Sequence, residues 1–372
     1  MSGPLADVKV VELAAQGPAP FAGAILADFG ADVVLVDRPP GAGWQPEVPR
    51  AFDFYMRNKR SIAIDLKSEQ GRATARQLIA RADIFIEGYR PGVVERLGLG
   101  PDTCLDLNPR LVFARMTGWG QDGPMAQEAG HDINYLALTG ALHAIGEAEA
   151  PPPPPLNLVA DLGGGAMFLV SGILMALHAA KATGRGQVVD CAMLDGVVQL
   201  MSAFQAFRQQ GSWSDRRQDN IVDGGAPFFG TYATKDGKYV SVGAIETQFY
   251  ANLVAAMGLD AGTLPERDDR RNWPVLRRRF AEVFTTKTRA EWEEIMKGRD
   301  ACFAPVLSID EAWAHPQMTA RGTFGKMADM TYPMPAPRLS QTPGQLRNPP
   351  PEAGADTAAI LADWKIALET AV

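Results

Sequence analysis

Cysteine and histidine are both scarce in this 372-residue chain, which holds Cys104, Cys191 and Cys302 and only four histidines, His131, His143, His178 and His315. The cysteines are far apart, none forms a CxxC or zinc-knuckle pair, and their odd number fits reduced thiols. Positive charge is in deficit too: 36 Lys and Arg against 43 Asp and Glu give a net charge of −7. That balance argues against nucleic acid as a partner but leaves room for a local basic pocket that holds a small anion. A long uninterrupted hydrophobic run is missing as well. The most apolar stretch, 163–180, contains four glycines and His178 and is followed at once by Lys181, so a buried helix without membrane insertion is expected. The N-terminus enters a strand pattern without a basic segment and apolar signal core, and the cytoplasm is the expected compartment.

Several motifs are also absent. The loop after the first strand pattern reads AAQGPAPFAG, not GxGxxG, and Pro18 and Pro20 limit how closely it could wrap a pyrophosphate. This argues against a dinucleotide even though an acid, Asp37, ends the next strand pattern. There is no GxxxxGK[ST], no HExxH and no GxSxG, which removes the common phosphate-loop, zinc-protease and serine-hydrolase readings.

What is present in the first third is alternation. Short β-branched runs at 8–13, 32–36, 61–65, 84–87 and 111–116 are separated by helical spacing at 21–29 and 68–81. Short strands alternating with helices predict a mostly parallel α/β sheet. A helix is predicted at 132–142, five consecutive prolines at 151–155 predict an extended surface link, and 184–193 predicts a turn, a strand and the start of another helix. Further on, β-like runs flank Asp236-Gly237 as in a hairpin, helices are predicted at 249–257, 273–284 and 289–297, the proline-rich tail 332–351 wraps over other elements, and a last helix covers 355–368.

Three residues carry chemistry. His131 stands at the polar start of a helix, where an imidazole exchanges protons near neutral pH and free backbone N–H groups hold developing negative charge; a helix cap or a buried polar contact is the plain alternative. Asp161, in VADLGGGAM, fits a helix cap, and also a catalytic carboxylate beside glycines that leave room for a ligand. Glu246, in VGAIETQFY, sits between a strand and a helix and is by itself a cap or a solvated acid.

The residues occur in an ordered pattern: GADVVLVDRP, NKRSIAIDLKSEQGR, EGYRPGVVERLGLG, ARMTGWGQDGP, GHDINYLALTG, ADLGGGAM, GRGQVVDCAMLDG, DGGAPFFGTY, VGAIETQFY, DACFAPVL and PAPRLS. In this the chain resembles the family III coenzyme A transferases and, within them, the α-methylacyl-CoA racemases; only 44–51 and the proline run look individual. The resemblance implies a large Rossmann-like α/β domain over 1–200, completed by 320–372, a connecting segment at 201–225 and a smaller α/β domain at 226–319. It also implies an interlocked homodimer whose sites draw on both subunits. It places the proton-transfer groups on His131 and Asp161 and the histidine-associated glutamate on Glu246. It makes Arg38, Lys59, Arg60 and Arg90 candidate contacts to the CoA phosphates, and puts Gly130, Asp132 and Tyr135 beside the ligand. The implied reaction interconverts R and S 2-methylacyl-CoA thioesters through an enolate, without metal or added cofactor, coenzyme A being part of the substrate. The alternatives are an acyl-CoA:carboxylate CoA-transferase with Asp161 as nucleophile, from which the GHDINY motif distinguishes the chain, and a CoA-binding protein without catalysis.

Overall fold

The computed structural model describes residues 3–39 and 48–367, so 44–47 of the individual stretch and Leu368 of the expected last helix lie outside the described residues. The chain forms two compact units: Met1–Thr139 with Pro155–Leu200 and Arg321–Val372, and Gly140–Pro154 with Met201–Ala320.

The first unit is built on β1 (Lys9–Leu13), α1 (Pro18–Asp28), β2 (Asp32–Asp37), β3 (Arg60–Ala63), α2 (Glu69–Ile79), β4 (Ile84–Glu87), α3 (Val93–Arg96), α4 (Pro101–Leu107), β5 (Val112–Thr117), α5 (Asp132–Leu138), a π-helical segment Leu158–Ala166 that continues into α6 (Met167–Thr183), β6 (Gln187–Ala192) and α7 (Met193–Leu200). The strands form one parallel sheet in the order β3-β2-β1-β4-β5-β6. Val10 of β1 pairs with Val33 on one side and Ile84 on the other. Val10, Val11, Val34, Phe85, Ile86 and Phe113 are fully buried, because helices cover both faces; strands so placed read as continuous apolar runs rather than alternating ones. The strand order reverses between β1 and β4, and such a switch point opens a crevice outside the carboxyl ends of the strands.

Local signals set the helices. Pro18 starts α1 three residues before the expected position, since proline is accepted where a helix N–H has no partner. Ser68 caps α2, its Oγ accepting from the Gly71 N–H at 3.0 Å. Leu158–Thr183 is long and apolar enough to cross a bilayer by length and composition, yet Leu169, Ile173 and Leu177 are buried where α6 packs on β5 and β6. The tail returns to this unit: Trp364 is buried among Leu78, Phe85 and Phe113, its indole N–H donates to Asp32 at 2.8 Å, and the Gly354 N–H donates to Ser61 Oγ at 2.8 Å.

The second unit contains α8 (Ser202–Gln210), β7 (Phe229–Ala233), β8 (Tyr239–Gly243), α9 (Thr247–Ala256), α10 (Trp273–Phe284), α11 (Arg289–Met296), β9 (Phe303–Val306), α12 (Ile309–Ala314) and most of α13 (Pro316–Arg321). Its antiparallel sheet runs β7-β8-β9, with Gly237 at φ +74° in the expected hairpin turn. Tyr232, Val240, Phe280, Phe284 and Trp292 share its core. Two expected boundaries move. Segment 201–225 is part of this unit rather than a separate connection, and 140–154 belongs here rather than with the first unit. The reason is Arg217, whose guanidinium donates to the carbonyls of His143, Glu147 and Ala150 at 3.1, 2.9 and 2.8 Å. Beyond it the chain adds the unforeseen hairpin β10 (Phe324–Met327) and β11 (Met330–Pro333), and α14 (Thr357–Asp363), to the first unit.

Candidate active site

At the carboxyl edge of the first unit's sheet the chain places His131 as the residue before α5, with the Asn134 Oδ1 accepting the His131 N–H at 3.1 Å. The turn ahead of it is shaped by the Tyr135 ring. A Cβ on Gly118 would lie 2.0 Å from two ring carbons, and one on Gly130 would lie 2.7 Å from the ring. Only glycine at both positions leaves room for the tyrosine. Its hydroxyl donates to the Gly130 carbonyl, and Trp119 packs edge-on at 4.7 Å. The backbone on either side of His131 is thereby held while its side chain stays exposed.

Asp161 does not precede its helix as a cap. It lies in the first turn of the π-helical segment, whose capping position is Asn157. The wide turn fits tightly because Gly164 and Gly165 lie against Val197 and Met193, where a Cβ would come within 2.8 and 3.0 Å. The Asp161 N–H donates to the Asp132 carboxylate at 2.8 Å, and Asn157 donates to Asp161 Oδ2 at 3.4 Å. The loop after β1 passes alongside, so that a Cβ on Gly17 would lie 3.5 Å from the same oxygen. Burial pushes the Asp161 carboxyl above the usual carboxylate range; the Asn157 bond opposes this, the Asp132 charge adds to it and His131 opposes it. The result is a better proton acceptor than a solvated aspartate. Tyr55 and Tyr135 feel the same charge: burial first, and then Asp161, raises both phenols. His131, Asp132, Tyr135 and Asp161 therefore share one site. Tyr55 and Asn157 join them with no motif to announce them, although Asn157 stands four residues before Asp161, the spacing of one helical face.

The four basic candidates separate. Arg38 follows β2 and Arg90 follows β4, both exposed at the carboxyl edge; the Arg38 charge acts on the Tyr89 phenol, and that of Arg90 on Tyr135. Lys59 is not a phosphate contact. Its side chain is fully buried, and its ammonium is held 2.7 Å from both oxygens of the equally buried Glu12 and 2.9 Å from the Pro20 carbonyl. Arg60 is also excluded, because it opens β3 at the opposite, amino edge and is held by Asp32 at 2.6 Å and Asp363 at 2.7 Å. Glu246 lies in the second unit, exposed, just before α9, and its side chain forms no cap hydrogen bond. Among the described residues no group of three His, Cys, Asp or Glu is placed to hold a metal ion.

A switch point in the strand order, with an imidazole, a carboxylate of raised proton affinity and arginines after the adjoining strands, fits an α/β protein equipped to bind an anionic ligand and move a proton. The chain belongs to the CoA-transferase family III, whose model matches residues 5–357. It is 45% identical to an alpha-methylacyl-CoA racemase of Mus musculus over 98% of this chain and 94% of that protein, and 44% identical to one of Homo sapiens over 91% and 87%. A crystal structure of a CAIB/BAIF family protein from Brucella suis superposes with a TM-score of 0.83 at 26% identity, covering 98% of this chain and all of that one.

Proposed function

We propose that this protein is an α-methylacyl-CoA racemase, an isomerase that interconverts the R and S forms of 2-methylacyl-CoA thioesters. The observation that carries the reading is the meeting of His131 and Asp161 at one site, the second with its proton affinity raised by burial. One group takes the α-proton while the C–H electron pair moves onto the thioester oxygen as an enolate; the other returns a proton to the opposite face, and each group is reset by the reverse run. In the first turn of α5 the N–H groups of Asn134 and Tyr135 are taken by the His131 carbonyl, so those of Asp132 and Ile133 are the enolate's expected donors. Arg38 and Arg90 take the CoA phosphates, Arg38 through its planar fork.

The working unit in this reading is an interlocked cytoplasmic homodimer in which Glu246 of one subunit orients His131 of the other. Exposed apolar side chains along the Leu158–Thr183 helix, among them Leu158, Met167, Leu174 and Met175, support a covered face there. The test is simple. One enantiomer of a 2-methylacyl-CoA, incubated with the protein and no carboxylic acid, should become a mixture of both. CoA transfer that appears only when an acceptor acid is added, with no inversion, would replace the racemase by a CoA-transferase using Asp161 as nucleophile.

A further inference from the structure

The two proton-transfer groups are 30 residues apart in sequence, and one side chain ties their elements together. Asp132, next in the chain to His131, is 5% exposed. Its Oδ2 accepts both the Ala160 and the Asp161 N–H, each at 2.8 Å. These amides belong to the first turn of the π-helical segment, where helix geometry leaves N–H groups without an acceptor. The other oxygen, Oδ1, is buried and has no hydrogen-bond partner among the described residues.

Resting on the proton-transfer reading above, we propose that the Asp132 side chain is a positioning residue that locks the turn carrying Asp161 to the helix start carrying His131, and that its charge adds to the hold Asp161 has on a proton. The lock is the pair of short bonds. The charge acts because Oδ1 has no second contact to offset it, and in a buried setting such a field is little screened. Within the first unit Asp161 faces His131 just before α5, Asp132 and Tyr135 in α5, Tyr55 from the segment before β3, and Asn157 at the cap of its own helical segment. Of these Asp132 is the one that raises its proton affinity by charge.

The test uses Asp132→Ala and Asp132→Asn in the full chain. Asparagine keeps an oxygen for both amides but carries no charge. Deuterium exchange of the backbone, read by mass spectrometry on a peptide covering 158–162, should be about 10-fold faster or more at the Ala160 and Asp161 amides in Asp132→Ala, and near the original rate in Asp132→Asn. Wild-type protection in Asp132→Ala overturns the lock. The second readout is the pH profile of α-proton exchange from the enantiomer whose exchange Asp161→Asn abolishes. The limb that requires ionised Asp161 should move to lower pH in Asp132→Asn with the KM for acyl-CoA little changed; an unmoved limb overturns the electrostatic role. If Asp132→Ala does not fold, Asp132→Asn still decides the charge, and Asp132→Ser, too short to reach both amides, decides the lock. Normal racemisation by Asp161→Asn would instead strike down the proton-transfer reading and leave the amide result standing.

Discussion

Replacing Lys59 by methionine should destabilise the folded chain by about 3 to 5 kcal/mol while acyl-CoA affinity is unchanged. The magnitude comes from what is left behind. The ammonium satisfies both Glu12 oxygens and the Pro20 carbonyl, and without it a fully buried carboxylate has no counter-ion. Burial already pushes the Glu12 carboxyl up to about 7, with the Lys59 charge pulling the other way. Because that value lies above the unfolded one, the stability tied to the bound proton is complete at acid pH and is lost as pH rises through about 7. Removing Lys59 raises the folded value further, so the gap between variant and original should widen above neutrality by about 1.4 kcal/mol per pH unit. Urea titrations at pH 6.5 and 8.5, with calorimetric titration of an acyl-CoA, measure both quantities. A Glu12→Leu/Lys59→Met double variant should recover most of the loss, since a pair replaced by apolar side chains leaves no lone charge. Unchanged stability together with weakened acyl-CoA binding would refute this and restore Lys59 as a phosphate contact.

Arg38→Ala and Arg90→Ala should each raise KM for acyl-CoA by about 10-fold or more with kcat largely kept, because the phosphates are remote from the reacting carbon; steady-state kinetics check this, and unchanged KM in both removes the assigned pocket. Gly118→Ala should cost about 1 to 3 kcal/mol and much of the activity, since the new methyl would collide with the Tyr135 ring; denaturation midpoints and turnover decide, and a fully active, fully stable variant would contradict the packing. Mixed dimers of inactive His131→Ala and Glu246→Ala subunits should regain activity, as one of their two sites would be intact; verified mixed dimers that stay inactive would place the pair within one chain.

Much of the fold was legible because parallel strands buried on both faces must be apolar throughout: DVVLV and IFIE announce β2 and β4 within a residue of their ends. β9, β10 and β11 have little sequence signal, because four-residue strands that contain proline or glycine, such as FAPV and FGKM, carry little pattern. For the site, no periodicity distinguishes His131 from a cap; the GHDINY resemblance singled it out, and the geometry then set it beside Asp161. Basic residues carry the weakest signal. Charge in a sequence does not reveal a partner 47 positions away, as for Lys59, or 28 and 303 positions away, as for Arg60, which is why both read like Arg38 and Arg90. Nor did it reveal that the Asp132 side chain reaches across to the amides of Ala160 and Asp161.

Each isolated enantiomer of a 2-methylacyl-CoA can be followed in deuterated water before appreciable inversion, using the original protein, His131→Ala and Asp161→Asn, all first shown to be folded and to bind acyl-CoA. The original protein should place deuterium at the α-carbon from either enantiomer without added metal, nicotinamide or acceptor acid. Each variant should lose racemisation, with initial exchange suppressed chiefly from one enantiomer: the S form for His131→Ala and the R form for Asp161→Asn. Racemisation at the original rate in either variant would contradict a two-sided proton transfer between His131 and Asp161.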